Sequence, residues 1–77
     1  MPKFFFHVKD PAGMTLDEEG IELENLDQVR EEALGGARDI LSDLVKSGKQ
    51  LNGRTFVIAD EAGETVMTIP FKLALPE

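Results

Sequence analysis

The feature that most constrains this chain is a ten-residue pattern that occurs twice, at residues 6–15 and 56–65. Both copies read F-x-[VI]-x-D-x-A-G-x-T, which is typical of a strand, a tight turn and a second strand. The Asp side chain can accept bonds from backbone amides two residues further on, and the Gly can take the left-handed conformation that closes a type I turn with a bulge. The repeat therefore predicts two β-hairpins, whether it reflects duplication or one turn chemistry used twice.

Between the two hairpins the sequence predicts one helix, over residues 26–47. Asn25 is a favourable N-cap, Gln28 three residues later resembles a capping box, and Gly48 is a typical residue beyond a helix end. Apolar residues recur at helical spacing along one side. This stripe consists of Leu26, Val29, Ala33, Ala37, Ile40 and Leu44, widened by Leu34, Leu41 and Val45.

Together these elements predict an α+β fold of ββαββ order, a mostly antiparallel four-stranded sheet with one helix packed on one face. The whole chain, residues 1–77, is expected to form this single domain. The strands are predicted over residues 2–9, 14–23 with a break near Gly20, 54–60 and 64–71. A Gly-Gly pair at residues 35–36 interrupts the helix, which indicates either a kink or the close approach of a second subunit.

Side chains alternate between the two faces of a sheet. The face predicted to pack on the helix carries Phe4, Phe6, Val8, Phe56 and Ile58. The tight turns predict that Leu16 lies opposite Val8 in the first hairpin. In the second hairpin they predict that Val66 lies opposite Ile58.

The second face of the predicted sheet is too apolar for a face open to water. It carries Phe5, His7, Val57, Ala59, Met67 and Ile69. Three explanations are open. The first is a homodimer interface formed by Phe5, His7, Val57, Met67 and Ile69. In the second, residues 71–75 fold over this face; in the third, a bulge in the last strand turns Met67, Ile69 and Phe71 toward the helix.

Charge and size restrict the classes of partner. The net charge is −7, from 15 Asp and Glu against 8 Lys and Arg, which disfavours binding to nucleic acid backbones and to anionic membranes. Apolar runs such as residues 4–6 are too short to span a bilayer. A chain of 77 residues buries only about 60% of its unfolded surface, so self-association is one way to gain stability. The absence of cysteine is compatible with the cytoplasm, the expected location.

The candidate chemistry centres on His7, the only histidine, which the hairpin register places opposite Asp17. A carboxylate beside an imidazole suits acid–base work, but the nearest hydroxyls, Thr15 and Thr65, are better explained as strand residues. A structural or interface role is therefore expected for His7, with no catalytic residues and no cofactor. The acidic residues of segment 17–24 fit a solvated loop better than a calcium site, since the EF-hand pattern is absent, and no metal site is expected.

Motifs along the whole chain resemble one known family. Residues 1–8, M-P-K-F-F-F-H-V, are similar to its opening M-P-R-Y-F-F-H-[VL], and residues 17–23 match its D-x-x-G-x-E-L segment. Further similar segments are L-N-G-R at 51–54, D-E-A-G at 60–63 and T-I-P-F at 68–71. The family is DUF6894, short bacterial proteins of rhizobial type with unknown function. Phe4, where tyrosine is usual, departs from the pattern, as does the Gly-Gly pair.

The resemblance implies a stand-alone bacterial cytosolic protein and supplies no catalytic residues to carry over. The leading hypothesis is therefore a small acidic, non-enzymatic, self-associating protein-interaction module. Two alternatives come from other classes. One is nucleic-acid-linked regulation by an antitoxin-like domain, and the other is a weak enzyme that uses His7 and Asp17.

Overall fold

The structure, a computed structural model, describes residues 1–46 and 53–74. Its elements are β1 (Lys3–Asp10), β2 (Gly13–Thr15), β3 (Ile21–Glu22), α1 (Leu26–Lys46), β4 (Thr55–Ala59), β5 (Thr65–Pro70) and a 3-10 helix, η1 (Phe71–Ala74). The sheet is antiparallel in the order β2-β1-β4-β5, and β3 pairs with the start of β1. The predicted α+β fold, with one helix packed on one face of an antiparallel sheet, is confirmed.

The predicted strand over residues 14–23 is divided into β2 and β3 by the segment 16–20. The break is therefore longer than expected, and Gly20 lies at its end with φ of 73°. The predicted helix end at Gly48, and the side chains of Leu44 and Val45, lie outside what the structure describes.

Both copies of the repeated turn use their aspartate as predicted. Asp10 Oδ1 accepts hydrogen bonds from the amides of Ala12 and Gly13 at 2.8 and 3.0 Å. Asp60 Oδ1 accepts them from Ala62 and Glu64 at 2.9 and 3.0 Å. These bonds satisfy amides that a chain reversal would otherwise leave to water.

The two hairpins nevertheless pair in different registers. In the first, Asp10 pairs with Gly13, and Thr15 rather than Leu16 lies opposite Val8. The predicted Val8–Leu16 pairing is wrong because Gly13, with φ of 145°, lies outside the left-handed helical region and joins the ladder, so the turn closes one residue early.

In the second hairpin the turn closes as predicted. Gly63 has φ of 84°, and its amide donates a hydrogen bond to the carbonyl oxygen of Asp60 at 3.0 Å. Thr65 lies opposite Ala59. A bulge then leaves Val66 without a cross-strand partner, and Met67 lies opposite Ile58. The predicted Ile58–Val66 pairing is therefore wrong, because the bulge adds one residue to β5.

The core lies between α1 and the face of the sheet that carries Phe4, Phe56 and Ile58, as expected. Its buried side chains are Phe4, Val29, Ala33, Ala37, Leu41, Phe56, Ile58, Ile69, Phe71 and Ala74. The ring of Phe56 contacts two others, that of Phe6 edge-on at 5.8 Å between centroids and that of Phe71 at 4.7 Å. Small alanines on α1 allow the helix to lie close to these rings.

The bulge in β5 tests two of the three explanations of the second face, those that involve residues 71–75 and the register of the last strand. It turns Ile69 and Phe71 into the core, where they are 3% and 0% exposed, and Met67 packs against that core. The third explanation is confirmed for these residues. The second is wrong for residues 71–74, because η1 packs against α1 and Phe71 and Ala74 are buried in the core on the helix side.

The helix begins as its capping residues predict. The amide of Gln28 donates to Asn25 Oδ1 at 2.9 Å, and Gln28 Oε1 accepts from the amide of Glu24 at 2.8 Å. The stripe is shifted slightly from the prediction, since Leu26 is 50% exposed and Leu41 is buried. A methyl group at Gly36 would lie 3.6 Å from Phe56 Cζ, whereas one at Gly35 would contact nothing within 4 Å.

Candidate functional site

The carboxylate of Asp17 fills the gap between β2 and β3. Its Oδ2 accepts a hydrogen bond from the amide of Phe6 at 3.0 Å, where a continuous strand would have offered a carbonyl oxygen. Its Oδ1 accepts from the amides of Glu19 and Gly20 at 3.1 and 3.2 Å. One side chain therefore binds the loop to β1 and also fixes the shape of the loop.

These contacts shift the acidity of Asp17. Partial burial acts to raise the pKa of the carboxyl group, but the hydrogen bonds from the amides of Phe6, Gly20 and Glu19, together with the electrostatic effect of the nearby His7 ring, outweigh it. The pKa therefore lies below its ordinary value of 3.8. The carboxylate is ionised at neutral pH, the state in which it can accept all three bonds.

His7 contacts Asp17, but not through the predicted strand pairing, because Asp17 lies in the break between β2 and β3, and the bond that joins them involves the main chain. The amide of Asp17 donates to His7 Nδ1 at 3.0 Å, so Nδ1 acts as the acceptor in this contact. In an acid–base pair the carboxylate would instead accept a bond from this ring. The Asp17 carboxylate is directed at backbone amides, so it does not orient the ring for proton transfer.

The rings of Phe5 and His7 lie side by side on β1, with centroids 6.4 Å apart and planes inclined by 14°. Val57 lies opposite His7, and Met14 opposite Lys9. We call the face of the sheet turned away from α1, carried by Phe5, His7, Lys9, Met14 and Val57, the open face. No helix or strand within residues 1–46 and 53–74 packs over it, but the loop 16–20 covers one end. A methyl group at Gly20 would lie 3.0 Å from Phe5 Cε2, and Ala59, opposite Phe5, is only 5% exposed.

The structure brings together only part of the predicted interface. Phe5, His7 and Val57 share the open face and are partly buried. Met67 and Ile69 lie on the other side of the sheet, with the core. The interface itself stays a prediction, but these two residues do not belong to a continuous surface with the other three.

Two exposed apolar residues beside this surface were not predicted. Met14 is 47% exposed on the open face, and Leu16, two residues later at the start of the loop 16–20, is 62% exposed. Sequence reasoning placed Leu16 opposite Val8 and so on the helix side. The residue that could have indicated the exposure of Leu16 is its neighbour Asp17. Its carboxylate accepts a hydrogen bond from the amide of Phe6, and this contact replaces the strand pairing that would have placed Leu16 opposite Val8.

The described residues offer little other chemistry. Within residues 1–46 and 53–74, no group of three or more His, Asp or Glu side chains is arranged to hold a metal ion. The described part of the chain also contains no helix long and apolar enough to cross a membrane.

Comparison with known sequences places the chain in a family. The model of the family described as "Domain of unknown function (DUF6894)" matches residues 3–72. The chain belongs to this family. No curated protein and no solved structure matches it. The resemblance seen in its motifs is therefore confirmed, and the match covers every described strand and α1.

Proposed function

We propose that this DUF6894 protein is a non-enzymatic, self-associating protein-interaction module whose working surface is the open face. The observation that carries the proposal is the aromatic pair of Phe5 and His7, beside Val57 and the exposed Met14, on a side of the sheet that no described helix or strand covers. A small domain with one covered sheet face gains stability when its other face is buried. A cytoplasmic, bacterial setting is part of this proposal.

The size of the expected gain is modest. Complete burial of an apolar side chain stabilises by about 1.5–3 kcal/mol relative to exposure. Phe5 and Val57 are already partly buried, so each contributes only a fraction of this. Met14 and Leu16, at 47% and 62% exposure, have more surface left to bury.

The test is the solution mass of the purified protein over a concentration series, measured by light scattering. We expect a mass that rises from monomer toward dimer with concentration. A matched pair of variants locates the surface: Leu16→Ser removes a leucine beside the open face, and Leu73→Ser removes one that is 58% exposed on η1. Leu16→Ser should weaken the dimer and Leu73→Ser should not. A monomer at every concentration would disprove the proposal.

Nucleic-acid-linked regulation is the second candidate, favoured by the Phe5 and His7 rings, since aromatic side chains on a sheet can stack on bases. Lys9 adds a positive charge, but Lys3, at the other end of β1, lies opposite Glu22. Fluorescence anisotropy of labelled single-stranded oligonucleotides at low salt tests this candidate. No binding at high micromolar protein would eliminate it.

Of the three candidates, an enzyme that uses His7 and Asp17 has the least support, because Nδ1 of His7 already accepts a hydrogen bond from a backbone amide. His7→Ala separates this alternative from the proposal. An activity that disappeared in a folded His7→Ala protein would favour the enzyme.

A further inference from the structure

Charge is distributed unevenly over the molecule. The exposed acidic side chains of α1 are Asp27, Glu31, Glu32, Asp39 and Asp43, and they lie on the side of the helix away from the sheet, since the opposite side forms the core. The strand residues of the open face instead include the exposed Lys9 and the half-buried Phe5, His7 and Val57. In a chain of net charge −7, this is the surface on which a second copy meets the least repulsion.

The open face also has two unlike ends. Lys9 lies near one end of β1, opposite Met14. At the other end Lys3 lies opposite Glu22, so the Glu22 side chain is directed to the same side of the sheet. Both Lys9 and Glu22 are exposed. The aromatic pair of Phe5 and His7 lies midway between the two ends.

From this arrangement we infer that the occupant of the open face is a second copy of this chain, packed face to face with its β1 antiparallel to the first. This inference rests on the proposed function and adds the arrangement of the dimer. A two-fold axis centred on the aromatic pair brings Lys9 of each copy toward the Lys3–Glu22 end of the other. A parallel arrangement would instead place Lys9 over its own equivalent, and like charges in contact are unfavourable.

The dimensions of the face set the expected strength. Four strands at about 4.8 Å spacing, and an eight-residue β1 of about 27 Å, give a projected area of at most roughly 400 Å² for each copy, because β2, β4 and β5 are shorter than β1. Stable interfaces bury about 800 Å² of accessible surface for each partner. The dimer should therefore lie at the weak end of specific complexes, and its formation should depend on concentration in the micromolar range.

The test is a charge exchange, read as the dimer dissociation constant from light scattering or analytical ultracentrifugation. In the antiparallel dimer Lys9→Glu brings two exposed carboxylates together and Glu22→Lys brings two exposed ammonium groups together, while the half-buried Lys3 beside Glu22 partly screens either contact. Each change should therefore weaken the dimer by about two- to fivefold. The double variant restores opposite charges in both contacts, so it should recover most of the wild-type affinity.

Two control variants make the same changes in charge on α1, away from the open face. Arg38→Glu changes the net charge as Lys9→Glu does, and Glu31→Lys changes it as Glu22→Lys does, but both lie on the exposed side of α1. Neither should alter the dissociation constant by as much. Circular dichroism checks the fold of each variant, and Lys9→Gln with Glu22→Gln replaces any variant that fails to fold.

The outcomes separate the arrangement from the function. A wild-type protein that stays monomeric overturns the proposed function and this inference together. A dimer that is insensitive to Lys9→Glu and Glu22→Lys, or a double variant as weak as the single ones, overturns the antiparallel arrangement and leaves self-association standing. A dimer that Arg38→Glu weakens as much as Lys9→Glu responds to net charge alone, which also overturns the inference.

Discussion

The two hairpins share a ten-residue pattern and the same aspartate turn, yet their returning strands send side chains to different places. In the first hairpin Thr15 lies opposite Val8, and Leu16 is left 62% exposed. In the second, the bulge places Met67 opposite Ile58 and buries Ile69 at 3% exposure. A one-residue difference in register therefore decides which hairpin supplies the core and which supplies the open face, because side chains alternate with a period of two.

The largest expected effect is a difference in unfolding free energy between substitutions at Ile69 in β5 and at Leu16 after β2. Ile69→Ala should lower the free energy of unfolding by about 2–5 kcal/mol, because it leaves a cavity in the core. Leu16→Ala should change it by about 0.5 kcal/mol or less, because an exposed side chain loses few contacts. Urea unfolding of dilute protein measures both. Equal losses at the two positions would mean that Leu16 is buried in solution and that the registers do not differ.

A smaller effect is expected where the first hairpin is held by Asp17. Asp17→Asn should destabilise the fold by about 2 kcal/mol, because the amide group offers only one acceptor oxygen for the bonds that both carboxylate oxygens accept. The urea midpoint measures the loss, and Glu18→Gln at the exposed neighbouring position is the control. A loss no greater than that of Glu18→Gln would mean that the gap between β2 and β3 does not depend on this carboxylate.

The pH dependence of stability sharpens the role of Asp17. Its pKa in the folded protein lies below the ordinary value of 3.8, so ionised Asp17 stabilises the fold above that value. This contribution is lost as the pH falls from about 4 through the lower folded pKa. The stability difference between wild type and Asp17→Asn should therefore shrink below pH 4. A difference that stays constant between pH 7 and pH 2.5 would contradict the lowered pKa.

The smallest effect tests the two turns. Asparagine tolerates the left-handed helical region, so Gly63→Asn, at φ of 84°, should be nearly neutral. Gly13 has φ of 145°, outside that region, and Gly13→Asn should cost about 1 kcal/mol or more. Thermal unfolding of the two variants makes the comparison. Equal midpoints would mean that both turns adopt one conformation in solution.

Much of the fold follows from local sequence. The aspartate turns, the Asn25 cap, and the alternation that puts Phe6 and Val8 on one face of β1 and Phe56 and Ile58 on one face of β4 depend only on residues close together in the chain. Of the candidate site, the placement of Phe5 and His7 on one face of β1 follows in the same way, whereas Val57 joins them only through the pairing of β1 with β4. The details of the His7–Asp17 contact do not follow from local sequence either, because they depend on how the loop 16–20 crosses β1.

The sequence by itself determined that this protein has two hairpins, one helix and an apolar surface left over. Only the tertiary structure decided which side chains form that surface, removing Met67 and Ile69 from it and adding Met14 and Leu16. The physical reason is that register is not a local property. It depends on whether a bulge brings β5 against the helix, and on whether Asp17 reaches the amide of Phe6 across the broken strand.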